Sequence, residues 1–121
     1  MSEKRGLSLV ATPIGNLQDL SERMVETFKS CDLIACEDTR VTRKILTHLN
    51  IAKPLVSYRE ENELRQTQFL CAEIEKGKKI VLVSDAGYPG ISDPGFSVVR
   101  ECRRKGYSVS PVPGPNAAIT A

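Results

Sequence analysis

Hydrophobic positions along the chain come in short bursts, and the spacing within the bursts alternates between two patterns. Residues 7–12 form an apolar run halted by Pro13 and Gly15, which predicts a buried strand and a tight turn. Asp19 and Glu22 then make a D-x-x-E helix start, and Leu20, Met24, Val25 and Phe28 follow at helical spacing. A second strand is predicted at 33–36. Thr39 is the expected cap of a second helix with Val41, Ile45, Leu46 and Leu49 as its buried stripe. A third strand is expected at 54–58. It leads into a helix over about 61–76, with Leu64, Cys71 and Ile74 inward and Gly77 as its stop. Residues 80–83, Ile-Val-Leu-Val, are a continuous apolar, mostly β-branched run, as a strand buried on both faces requires. Asp93 and Pro94 open a fourth helix with Phe96 and Val99 inward, Gly106 ends it, and a last strand follows at 107–112.

Strand and helix thus alternate four times, followed by a strand and the start of a helix. Such alternation predicts an α/β fold: a mainly parallel five-stranded sheet with helices on both faces, joined by crossovers of one hand. Residues 1–121 read as a single unit without repeat or linker, and a helix barely begun before Ala121 suggests a protein that continues.

Composition narrows the class. A chain of 121 residues, 40% hydrophobic and 26% charged, has the balance of one ordinary globular domain. No stretch approaches the roughly 20 apolar residues a membrane span needs. The charged start, Met1 to Arg5, has no long apolar run behind it, against a secretory leader. Cys31, Cys36, Cys71 and Cys102 form no C-x-x-C pair, and His48 is the single histidine, so no metal set is indicated. The four thiols read as small apolar packing residues of a reduced, cytoplasmic protein. A net charge of +2 does not by itself point to nucleic acid. Two local clusters stand out, Arg40, Arg43 and Lys44, and Arg103, Arg104 and Lys105. The simplest reading of either alone is a solvated helix face.

Ligands of open parallel sheets bind beyond the carboxyl ends of the strands. The unusual residues of this chain fall there: Thr12 to Asn16 after the first strand, Glu37 to Arg40 after the second, and Arg59 to Asn62 after the third. Ser84 to Gly95 and Pro113 to Asn116 follow the last two. No G-x-G-x-x-G follows the first strand and no G-x-x-x-x-G-K-[ST] occurs, against a dinucleotide dehydrogenase and a phosphate-loop ATPase. The glycines at 87, 90 and 95 instead suit close approach of backbone to a ligand.

The segments T-P-I-G-N at 12–16, E-D-T-R at 37–40, S-D-A-G at 84–87 with P-G-I-S-D-P-G at 89–95, and V-P-G-P-N-A at 112–117 together resemble the tetrapyrrole methylase superfamily. Within it the set is most similar to the branch that methylates the ribose 2′-hydroxyl of a cytidine in 16S rRNA. The resemblance covers nearly the whole chain. It implies a two-domain, S-adenosylmethionine-dependent enzyme acting on 16S rRNA in the small ribosomal subunit and homodimeric when intact. This chain would be its N-terminal cofactor-binding domain, lacking the C-terminal one and inactive alone. Pro13, Asp85, Gly87, Gly114, Pro115 and Asn116 match the family's cofactor loops. The family commonly reads H-E-H-N-E after the third strand, whereas this chain has Arg59-Glu60-Glu61-Asn62-Glu63, so no histidine base is available there.

Methyl transfer to a hydroxyl favours a base that takes its proton. Glu60 and Asp38 are the candidates, each at a strand's carboxyl end, and each has an alternative reading as a helix-start carboxylate. Arg40, Arg43 and Lys44 are expected to hold RNA phosphates. Tyr58 and Tyr88 are candidates to stack on a base, or simply to pack. Two other functions remain open at this stage: C-methylation of a tetrapyrrole on the same fold, and a non-catalytic α/β binding module.

Overall fold

A computed structural model describes residues 6–11, 22–84 and 95–112. The elements, in chain order, are β1 (Gly6–Ala11), α1 (Glu22–Ser30), β2 (Leu33–Cys36), α2 (Thr39–His48), β3 (Leu55–Ser57), a 3-10 turn (Glu60–Asn62), α3 (Glu63–Glu75), β4 (Lys79–Ser84), α4 (Gly95–Arg104) and β5 (Ser108–Val112). The strands form one five-stranded sheet in the order β3-β2-β4-β1-β5. Every pairing is parallel, so the expected α/β fold is observed.

Side-chain alternation along the strands divides the core in two. Leu7, Leu9, Leu33, Ala35, Ile80 and Leu82 point to one face and meet Leu70 and Ile74 of α3 and Val98, Val99 and Cys102 of α4. Val10, Ile34, Cys36, Val81 and Val83 point to the other and meet Met24 and Phe28 of α1 and Ile45 and Leu46 of α2. The division follows from topology. The chain travels outward from β1 to β2 and β3, then back to β4 and on to β5. With crossovers of one hand, reversing the direction of travel moves the helices to the opposite face. The four cysteines are buried thiols, none of them in a disulfide, packed as the sequence suggested. No helix among the described residues is long and apolar enough to cross a membrane.

Three helices end in the same hydrogen-bonded turn. After α3, Gly77 N–H donates to Ile74 O at 2.9 Å and Lys78 N–H to Glu73 O at 3.2 Å. After α4, Gly106 N–H donates to Arg103 O at 3.1 Å and Tyr107 N–H to Cys102 O at 2.9 Å. The two glycines take the left-handed conformation this motif needs, at φ 97° and 82°. Asn50, at φ 62°, does the same after α2.

Four expectations are corrected. Val41 is 40% exposed, and the buried stripe of α2 runs through Thr42, Ile45 and Leu46. Leu64 is 76% exposed, and the inward face of α3 runs through Thr67, Leu70, Cys71 and Ile74. The third helix begins at Glu63, after the 3-10 turn. The cap of α2 is Asp38, with Thr39 its first helical residue. Asp19, Leu20, Asp93 and Pro94 lie outside the described residues, as does the side chain of Phe96.

Candidate functional site

The register aligns the carboxyl ends of all five strands. Ser57 pairs with Cys36 and Cys36 with Val83. Val83 pairs with Val10, and Val10 with Val112. These residues make one row across the sheet, and every motif-bearing segment continues the chain from that row. The three segments with cofactor motifs leave from β4, β1 and β5, which are adjacent. β4 leads to α4 on one face, while its neighbours β1 and β2 lead to α1 and α2 on the other. Neighbouring strands whose connections part to opposite faces open a crevice at their carboxyl ends, the usual ligand site of such sheets. Pro13, Asp85, Gly87, Gly114, Pro115 and Asn116, together with Tyr88, lie outside the described residues.

At the end of β2, Asp38 is extended (φ −122°, ψ 104°) and its carboxylate accepts from Arg40 N–H at 2.9 Å, capping α2. Arg40 Nε donates to the same oxygen at 3.4 Å. The Arg40 side chain, and then its backbone N–H, hold the Asp38 carboxyl below the usual carboxylate range. Arg40, Arg43 and Lys44 are all exposed on α2. Arg43 and Lys44 form no ion pair among the described residues.

The segment after β3 is held by side chains of its own. Arg59 N–H donates to Asn62 Oδ1 at 2.7 Å. Asn62 Nδ2 donates to Ser57 Oγ at 3.1 Å, and Gln66 Nε2 to Ser57 O at 2.6 Å. Arg59 Nε reaches across to Glu37 O at 3.0 Å, so the ends of β2 and β3 are tied together. The structure thus brings the Asp38–Arg40 turn and the turn bearing exposed Glu60 onto adjoining parts of the rim.

Tyr58 is buried, so of its two readings packing is the one observed and base stacking is set aside. Its hydroxyl accepts from Val98 N–H at 3.1 Å and shares a 3.0 Å hydrogen bond with Thr67 Oγ1. Burial pushes the phenol up to about 12. Glu63 Oε2 accepts from Ser97 N–H at 3.3 Å. Two side chains from the β3–α3 junction therefore hold the start of α4, the helix that follows the segment 85–94. Sequence reading missed Arg59, Gln66 and Tyr58 in these roles. The R-x-x-N spacing of Arg59 and Asn62, that of a capping box, was the available signal.

These features define an α/β domain whose motif-bearing segments leave from the carboxyl edge of a parallel sheet. A profile of the tetrapyrrole (corrin/porphyrin) methylases matches residues 6–121, and the chain belongs to that family. The chain is 51% identical over 115 residues to the ribosomal RNA small subunit methyltransferase I of Haemophilus influenzae, covering 95% of this chain and 41% of that protein. It is 50% identical over 119 residues to the protein of the same name from Halalkalibacterium halodurans, covering 98% and 41%. The one from Synechocystis is 52% identical over 115 residues, covering 95% and 41%. The chain therefore spans about two fifths of the length of these curated relatives.

Proposed function

We propose that the chain is the cofactor-binding half of an S-adenosylmethionine-dependent methyltransferase acting on the ribose 2′-hydroxyl of a cytidine in 16S rRNA of the small ribosomal subunit. The observation that supports this most is the row of adjacent carboxyl ends at β4, β1 and β5, from which all the cofactor motifs continue. Relatives at about half identity, named ribosomal RNA small subunit methyltransferase I, support the RNA substrate.

Pro13, Asp85, Gly87, Gly114, Pro115 and Asn116 would hold the cofactor, with further contacts from a C-terminal domain. When bound, S-adenosylmethionine supplies a methyl group already activated on a sulfonium, so the protein's task is alignment and proton removal. Glu60, exposed on the turn after β3, is assigned the hydroxyl proton. Asp38 is the second carboxylate at the site. Its cap and its Arg40 partner keep it ionised, and it orients the turn that presents the basic end of α2. Arg40, Arg43 and Lys44 hold RNA phosphates, which set register without reading sequence. The full-length protein would work in the cytoplasm as a homodimer, checked by sedimentation at twice the monomer mass.

The test is methyl transfer by the full-length protein from labelled S-adenosylmethionine. Label on ribose in 16S rRNA of 30S subunits is expected. Label in a porphyrinogen would move the assignment to tetrapyrrole C-methylation. No binding of the cofactor by calorimetry would leave a non-catalytic module.

A further inference from the structure

From Thr39 to Arg59 the chain has no acidic residue, so all 15 Asp and Glu lie elsewhere. Within that stretch, the exposed residues of α2 include Arg40, Arg43, Lys44, Thr47 and His48. At 100° per residue these lie opposite the buried Thr42, Ile45 and Leu46. The helix therefore carries one apolar stripe on the sheet and one cationic stripe in water. The cations start at the reactive rim, where Arg40 stands beside Asp38, and Arg40 to Lys44 covers about 6 Å of the helix axis, with Thr47 and His48 continuing the exposed face.

The stripe does not stop at the end of α2. Asn50 in its left-handed conformation closes the helix, with Asn50 N–H donating to Thr47 O at 3.1 Å and Ile51 N–H to Leu46 O at 2.9 Å. The returning chain brings Lys53 to the same groove as Arg43. The groove, of about 370 Å³, has an apolar floor of Leu46, Ile51, Ala52 and Leu55, with Thr47 and Pro54 beside them, and the two cations are its charged residues, with no carboxylate in its wall. Arg43 and Lys53 are ten residues apart, and neither forms an ion pair among the described residues.

We propose that this groove is a second phosphate subsite, and that the RNA strand flanking the target nucleotide runs from the rim along α2 to Lys53. The proposal rests on the RNA reading above and extends it by direction and length. An RNA backbone fits better than a compact anion because the cations form a line continuous with the reactive rim. Positive charges in a row neutralise successive phosphates and release their counterions, so binding must weaken with salt in proportion to the number of contacts.

The test uses the full-length protein with a labelled single-stranded oligoribonucleotide, titrated between about 50 and 200 mM KCl. For Lys53→Ala the slope of log affinity against log salt becomes shallower by about 0.7, and affinity at about 0.1 M salt falls about fivefold. Lys53→Arg restores both, and S-adenosylmethionine affinity stays unchanged. Arg103→Ala, a cation on α4 across the sheet, leaves the slope unaltered. If Lys53→Ala keeps the wild-type slope while Arg40→Ala does not, the strand ends at the rim and the subsite is refuted with the RNA reading intact. Equal effects of Lys53→Ala and Arg103→Ala would show unspecific attraction and refute the track. Loss of methyl transfer to 30S subunits in the wild-type protein is the separate result that would remove the RNA reading itself.

Discussion

Replacing Tyr58 by phenylalanine removes one oxygen from a buried junction of three elements. The tyrosine follows β3, and its hydroxyl meets Thr67 of α3 at 3.0 Å and accepts from Val98 N–H of α4 at 3.1 Å. Tyr58 is 1% exposed and Thr67 7%, so water cannot readily replace the lost partner. Phenylalanine fills the same volume, so no cavity forms and the cost comes from the polar groups left behind. Thr67 can turn its hydroxyl to the carbonyl one helical turn back, whereas Val98 N–H loses this acceptor. One orphaned buried group costs about 1–3 kcal/mol, so about 2 kcal/mol is expected for Tyr58→Phe. A chain of this length has an unfolding entropy of about 0.25 kcal/mol/K, which turns that loss into a fall of about 8 °C in Tm. Urea and thermal unfolding of the wild type, Tyr58→Phe, Thr67→Val and the double variant provide the assay. The double variant should be less destabilised than the sum of the singles by at least about 0.5 kcal/mol, because the two residues share one bond. A Tyr58→Phe variant within about 0.5 kcal/mol of wild type, with strictly additive singles, would refute the reasoning.

Three further outcomes are expected. Burial pushes the Cys31 thiol up to about 11 and the Cys102 thiol up to about 12, and it raises Cys71. The unfolded chain ionises these groups first, so their contribution is complete below pH ~9 and is lost as pH rises through the folded values, at up to about 1.4 kcal/mol per pH unit for each of Cys31 and Cys102, with Cys71 acting in the same direction. Urea midpoints that stay level up to pH 10 would contradict this. Asp38 is held low by Arg40, so its contribution is present above the ordinary carboxylate value and fades as pH falls through the folded one. Asp38→Asn should flatten the acid side of the stability profile, and Asp38→Ala should lower Tm more than Asp38→Ser, which keeps a capping oxygen. At the start of β1, a Cβ on Gly6 would stand 2.6 Å from the Ser108 carbonyl oxygen. Gly6→Ala should therefore cost about 1–3 kcal/mol by separating β1 from β5, and an unchanged Tm would show that the edge yields freely.

Local structure was legible where one rule dominated. β4 announced itself as a continuous apolar run because both its faces are covered. Gly77 and Gly106 marked helix ends because little else adopts their conformation cheaply. The errors at Val41 and Leu64 share one cause: Thr42 and Thr67 occupy core positions, so apolarity alone shifted each stripe to a hydrophobic neighbour. Tyr58 carries the reason for Thr67, a polar partner that burial requires. The one-residue error in capping arose because Asp38 and Thr39 are both good caps. At the rim, the motif residues were legible as types, but the tie from Arg59 to Glu37 was not. Its acceptor is a backbone carbonyl 22 residues away, and carbonyls leave no trace in sequence. Sheet order was equally hidden, since β1 lies between β4 and β5 only through long-range pairing.

The central claim is that the cofactor sits at the carboxyl ends of β4, β1 and β5. Amide NMR of the full-length protein, titrated with S-adenosylmethionine, addresses it residue by residue. Shifts are expected at Ala11, Ser84 and Val112, with Gly6, Lys79 and Ser108 at the opposite ends of the same strands unmoved. Shifts at Gly6, Lys79 and Ser108 with a silent carboxyl edge would place the ligand on the wrong side of the sheet and contradict the account.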